Sequence, residues 1–231
     1  MPIGIKDLKL KPDSPDLGAA GGRLSDSVYE ALVAGILAGK LAPGAVLSEL
    51  ALGRQFKVSR TPIHDALVQL AKDGLVEQEA NRRAVVAAFT SADVFDIFEM
   101  RKLLEGESAR KAATKLDRIA LAKLREAAEQ MAASAAKPGA VARWVDFDEI
   151  FHTTIAEASG SKRLMEDITR YRMLHRSFNR MRTTPEVVQQ ALAEHMRILE
   201  ALEKRDAKRA SAEMVAHIHE WQAYFVNSFG R

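Results

Sequence analysis

Asp148 and His152 lie four residues apart, a spacing that puts both side chains on one face of a helix, where they can grip a single ion. His195 and His217 fall in the middle of two later helical segments. A helical bundle can bring all four into one core. Three neutral imidazoles and one carboxylate suit Zn²⁺, Ni²⁺, Mn²⁺ or Fe²⁺ and do not choose among these divalent ions. His219, two residues past His217, is turned about 200° away and stays outside the set. Three uses of such a centre are open: a sensing element, a purely structural metal, or a hydrolase or oxygenase site. Isolated helical histidines also serve as ordinary core or surface residues. No separate general base or nucleophile stands near the four in sequence, so the chain does not read as an enzyme.

A second constellation is basic and polar. Arg60, Thr61 and His64 occupy the exposed start of a predicted helix, with Ser59 just before it; Arg54 and Lys57 end the preceding helix and turn; Arg82 and Arg83 sit at the tip of a predicted hairpin. In a helix-turn-helix unit the start of the second helix reaches base edges, the turn meets phosphates, and a wing reaches the neighbouring minor groove. Any one arginine is most simply a solvated surface charge. Basic residues at all three loci of one unit make double-stranded DNA the expected partner.

The elements that must hold these residues follow from caps and periodicity. Residues 1–22 hold three of the seven prolines and read as a flexible arm. Ser25 can cap a helix with Val28, Leu32, Ile36 and Leu37 inward, ended by Gly39 and Pro43-Gly44. A short helix follows Ser48, with Leu50, Leu52 and Phe56 available for burial. Ser59-Arg60-Thr61-Pro62 opens a third, whose inner face is Ile63, Ala66, Leu67 and Leu70. Leu75–Glu79 and Ala84–Phe89 flank Asn81-Arg82-Arg83 as two strands. Beyond Thr90 six amphipathic helices follow, starting near Asp93, Asp117, Ala140, Ser161, Pro185 and Asp206. The fold is therefore mainly α: a winged helix-turn-helix domain of three helices and a short β-hairpin over 23–89, then an all-helical antiparallel bundle over 90–231.

Composition sets the outer limits. The 231 residues are 47% hydrophobic and 28% charged, with no cysteine. That excludes a disulfide scaffold, thiolate zinc and iron–sulfur chemistry, and fits a cytoplasmic location. The most apolar run, Ala31 to Gly39, is about half a membrane span, and Lys6, Asp7, Lys9, Lys11 and Asp13 interrupt any leader-like core. A net charge of +3 and a pI near 9.1 permit a nucleic-acid partner without arguing for one.

Gly39-Lys40-Leu41-Ala42-Pro43-Gly44, then Phe56-Lys57-Val58-Ser59-Arg60-Thr61-Pro62, Ala66-Leu67 and Gly74-Leu75-Val76 closely resemble the GntR family of bacterial transcription regulators over residues 23–89. His64 stands where that family usually has Arg, and Arg83 where its wing usually has Gly. Residues 90–222 resemble the FCD ligand-binding domain. The matching signatures are Arg101-x-x-x-Glu105, Asp148-x-x-Phe151-His152, Glu194-His195 and Met214-x-x-His217-Ile218. The resemblance implies an effector-responsive regulator, a metal on Asp148, His152, His195 and His217, and a small organic acid as effector. Arg101 is the candidate to hold the acid, with Glu105 beside it at i+4; Arg143, Arg172 and Arg176 are weaker candidates because helix phase does not fix which points inward. Trp144, Phe147, Phe178 and Trp221 read as core. One winged unit touches few bases, so a homodimer on a pseudo-palindromic operator is expected.

Overall fold

A computed structural model describes residues 8, 21–77 and 83–228, excluding the side chains of 21–23, 177, 178, 180–182 and 228. The chain divides into two compact units, Met1–Thr90 and Ser91–Arg231. Apart from Leu8, Gly21 and Gly22, the expected arm lies outside the described residues, as do Arg82 and the hairpin tip. Leu8 is buried, and its carbonyl accepts from Gln55 Nε2 at 2.9 Å.

In the first unit, α1 (Gly21–Leu37), α2 (Glu49–Phe56) and α3 (Arg60–Lys72) surround a small apolar core. Val28, Leu32, Ile63, Ala66, Leu67 and Leu70 are all buried, as their spacing requires. Ser48 caps α2 by accepting from Ala51 N–H, whereas Ser59 makes no side-chain cap for α3. Leu52 and Phe56 face inward but Leu50 does not. Two residues along a helix is a turn of about 200°, so Leu50 and Leu52 cannot share a face. Between α2 and α3 the chain turns at Lys57, which adopts a left-handed φ of 57°. A Cβ on Gly53 would come within 3.2 Å of the Val58 carbonyl, so glycine lets the turn close.

The sheet holds one strand more than a hairpin. β1 (Val46–Leu47), β2 (Val76–Glu77) and β3 (Ala84–Val86) run in the order β1-β3-β2, antiparallel throughout. Val46 pairs with Val85 and Val76 with Val86. β1 escapes periodicity because two residues carry no period; the Gly44 turn brings it in, with Gly44 N–H donating to Val86 O at 2.8 Å.

The second unit comprises α4 (Ser91–Lys115), α5 (Arg118–Ser134), α6 (Ala140–Ala158), α7 (Lys162–Arg182), α8 (Pro185–Glu203) and α9 (Ala207–Ser228). Its starts are set by local chemistry. Asp117 accepts from Ile119 and Ala120 N–H, Ser161 from Leu164 N–H, Thr184 from Val187 N–H and Asp206 from Arg209 N–H. α4 and α9 pack most extensively against each other. At their crossing a Cβ on Gly106 would fall 2.7 Å from Val215 Cγ2, so glycine permits the approach. No helix among the described residues is long and apolar enough to cross a membrane.

Candidate functional site

α6 brings Asp148 and His152 inward, α8 brings His195, and α9 brings His217; all four are buried. One ligand atom from each lies within 4.8 Å of the others. His152 Nε2 and His195 Nε2 each stand 3.6 Å from Asp148 Oδ1, and His195 Nε2 is 3.3 Å from His217 Nε2. Donors around an ion at bond lengths of about 2.0–2.2 Å are themselves roughly 3–3.6 Å apart. His219 is exposed on the far side of α9.

The tautomers point the same way. His152 Nδ1 meets Glu105 Oε2 at 2.5 Å and His217 Nδ1 meets Glu194 Oε2 at 2.7 Å. A carboxylate only accepts, so both Nδ1 atoms carry the hydrogen, and in neutral rings both Nε2 atoms turn a lone pair to the centre. His152 Nε2 is buried with no hydrogen-bond partner of its own. His195 is held by aromatic faces instead: it stacks on Phe151 at 4.0 Å and 2°, and on Trp144 at 5.1 Å. Burial lowers the pKa of His195, and the neighbouring imidazoles of His217 and His152 add to it, so the ring is neutral, the state a ligand needs.

Asp148 aims Oδ1 at the histidines while Oδ2 accepts from Arg172 Nη2 at 2.8 Å and Asn179 Nδ2 at 3.2 Å. Burial pushes this carboxyl up, but Arg172 and the imidazoles outweigh it and hold it well below the usual range. Around the centre, Asp148, Glu105 and Glu149 face Arg101 and Arg172, while Glu194 is held against His217. Four carboxylates against two guanidiniums leave two negative charges, which a divalent cation would neutralise.

Arg101 is buried and gives Nε to Glu105 Oε1 at 2.8 Å, with its guanidinium 5.1 Å over Phe98. Glu105 is shared between Arg101 and His152, so it positions an imidazole as well as neutralising a cation. The weaker arginine candidates separate cleanly. Arg172 is fully buried at the site, Arg176 reaches Asp146, and Arg143 caps the turn before α6 by donating to Ser134 and Pro138 carbonyls. Trp144, Phe147 and Trp221 are buried as expected, and Trp221 Nε1 also donates to Glu194 at 2.9 Å; the Phe178 side chain lies outside the described residues.

Sequence reasoning named Arg172 as a weaker candidate but missed His175 and Asn179, which share the inner face of α7 with it. Arg172, His175 and Asn179 repeat at three and four residues and are all buried. His175 packs edge-on to Phe98 and Phe225, its Nδ1 has no partner, and burial together with Arg101 drives its pKa well down. Polar residues at helical spacing are the signal that could have found them.

In the first unit Arg54, Lys57, Ser59, Arg60, Thr61 and His64 are exposed around the α2–α3 turn, and Arg83 is exposed at the foot of β3. That is the surface a winged unit turns to DNA.

A winged helix-turn-helix unit joined in one chain to a helical bundle with a buried Asp/His cluster defines a two-domain DNA-binding transcription regulator. Residues 24–86 match the bacterial regulatory proteins of the gntR family, and residues 96–220, more than half of the chain, match the FCD domain. The chain belongs to the GntR family and carries an FCD domain. A similar protein is an uncharacterized HTH-type transcriptional regulator in the TAR-I ttuE-ttuC' intergenic region of Agrobacterium vitis, 34% identical across 61% of this chain and 82% of that protein. The HTH-type transcriptional repressor RspR of Escherichia coli is 27% identical across 85% of this chain and 86% of its own length. Among solved structures, Escherichia coli McbR/YncC shares the fold with a TM-score of 0.72 at 18% identity, covering 93% of this chain and 100% of that one.

Proposed function

We propose that the protein is an effector-responsive regulator that binds a pseudo-palindromic operator as a homodimer and senses a small organic acid at a divalent metal ion. Residues 23–89 read DNA, residues 90–231 sense and dimerise, and the site of action is the bacterial cytoplasm. The ion is held by Asp148, His152, His195 and His217. The observation that carries this reading is the pair of Nε2 atoms, on His152 and His217, turned by Glu105 and Glu194 into the cluster they form with Asp148 and His195. The metal would supply a Lewis-acidic seat for an anionic oxygen, since four protein ligands leave an octahedral shell open.

Arg101 and Arg172 supply the cationic side of the effector pocket. Arg172 Nε and Nη1 are buried without hydrogen-bond partners, and such donors favour a carboxylate. Glu105 takes part by setting Arg101 and His152 rather than by touching the acid. Binding then shifts operator affinity only insofar as the acid prefers one arrangement of the dimer.

Elemental analysis of the wild type and a His152→Ala/His195→Ala variant tests the centre, with about one ion per chain expected in the first and little in the second. Calorimetry with small hydroxy-, keto- and dicarboxylates on the metal-loaded protein, followed by gel shift, tests the switch. A panel without a binder, or a binder that leaves operator affinity unchanged, contradicts the sensing role.

A further inference from the structure

Glu49, the first residue of α2, bridges two side chains of α3. Its Oε2 accepts from Arg60 Nε at 2.5 Å and its Oε1 lies 2.9 Å from His64 Nδ1. The carboxylate is mostly sheltered, at 21% exposure, while Arg60 is 84% and His64 52% exposed. Hydrogen bonds from His64 and then Arg60 hold Glu49 below the usual carboxylate range, so it stays ionised.

An ionised carboxylate has no proton to donate, so His64 Nδ1 must carry the hydrogen. A neutral imidazole has only one such hydrogen. Nε2 is then a bare acceptor on a half-exposed ring, one turn into the helix whose start faces the major groove. Arg60 differs: with Nε committed to Glu49, its terminal nitrogens remain donors and nothing else. The major-groove edge of guanine offers two acceptors, whereas adenine and cytosine each offer an amino donor. An imidazole lone pair set against guanine would be acceptor against acceptor.

We infer that Glu49 sets the donor–acceptor code of the recognition helix: Arg60 reads guanine, and His64, held as the Nδ1–H tautomer, reads the amino group of adenine or cytosine. Glu49 is a positioning residue here and touches no base. A glutamine in its place can still accept from Arg60 with its oxygen but turns an N–H toward His64 Nδ1, so the Nδ1–H tautomer is no longer fixed. The inference rests on the reading of residues 23–89 as operator-binding and adds which bases they select.

The test is enrichment of duplexes from a random-sequence pool at mildly alkaline pH, using the full-length protein, His64→Arg and Glu49→Gln. The wild type should enrich adenine or cytosine at one position of each half-site. His64→Arg, which presents only donors, should move that position to guanine and leave the others unchanged. Glu49→Gln should flatten the preference there by about fivefold or more. Guanine at that position for both wild type and His64→Arg, or no position that responds to residue 64, overturns the inference. A wild type that enriches no sequence at all overturns the operator-binding reading and this inference with it, an outcome distinct from the other two.

Discussion

Glu105 and Glu194 each hold one imidazole of the Asp148/His cluster, yet removing their charges should have different consequences. Glu194 accepts from His217, Trp221 and Gln190, so Glu194→Gln loosens one imidazole and little else. Losing a partner of this kind weakens metal binding by about 10- to 100-fold, which competition with a chromophoric chelator measures. Glu105 also neutralises Arg101, and that pair is almost wholly buried. Glu105→Gln strands a buried guanidinium, which costs about 3–5 kcal/mol, so its signature is a fall in thermal stability even in metal-free protein. Equal stability of the Glu105→Gln and Glu194→Gln variants in chelator would contradict the assignment. The clustering of Asp148, His152, His195 and His217 was legible because an i,i+4 pair and two mid-helix histidines all face inward in a helical bundle. The supporting groups were not: which of Arg143, Arg172 and Arg176 turns inward depends on the rotation of α6 and α7 about their own axes. Packing sets that rotation, and α7, with arginines on several of its faces, displays it only through the weak repeat of Arg172, His175 and Asn179. Ser161, by contrast, acts as the α7 cap that its position before a helical run allows.

At the scale of elements, helix starts were readable from Ser48, Asp117, Ser161, Thr184 and Asp206 because caps are local chemistry between a side chain and a backbone N–H two or three residues on. β1 was not readable, being two residues long and ordered only by its pairing with β3. Close approach between helices was equally hidden, and Gly106 tests it. Replacing a mid-helix glycine by alanine should gain up to about 1 kcal/mol of helix propensity. At Gly106 the new methyl would meet Val215 Cγ2 at 2.7 Å, and overpacking costs about 1–3 kcal/mol. Gly106→Ala is therefore expected to lower stability, and Gly106→Ala/Val215→Ala to restore much of it, in chemical denaturation. Lys57 offers the converse case. Its left-handed φ of 57° suits glycine better, so Lys57→Gly should stabilise the first unit by up to about 1 kcal/mol while removing a charge from the turn proposed to meet DNA. A variant that is both more stable and weaker on the operator, with a shallower salt dependence, is the expected pattern.

At the scale of the whole molecule, the proposed homodimer needs a surface that holds two reading heads together. α4 exposes Leu103, the most open at 69%, with Met100 about 60° to one side of it around the helix and Phe95 about 80° to the other, although other large apolar residues of the helix, such as Val94 and Phe98, are buried. Apolar side chains grouped on one face and not paid back by burial mark a surface meant for a partner. For a regulator on a twofold operator the economical partner is a second copy, with the face meeting its own symmetry mate. Leu103→Glu would then set two carboxylates against each other across the axis, and Met100→Glu should act in the same direction. Neither residue touches the Asp148 cluster, so metal content and the melting of the isolated fold should be nearly unchanged. Sedimentation velocity at micromolar concentration should show the wild type as a dimer and Leu103→Glu shifted to monomer. Gel shift should show a matching loss of operator affinity, since a monomer forfeits one half-site and its contacts. A Leu103→Glu/Met100→Glu protein that stays dimeric would place the dimer contact on another face, and a monomeric wild type with full operator affinity would remove the dimer from the mechanism.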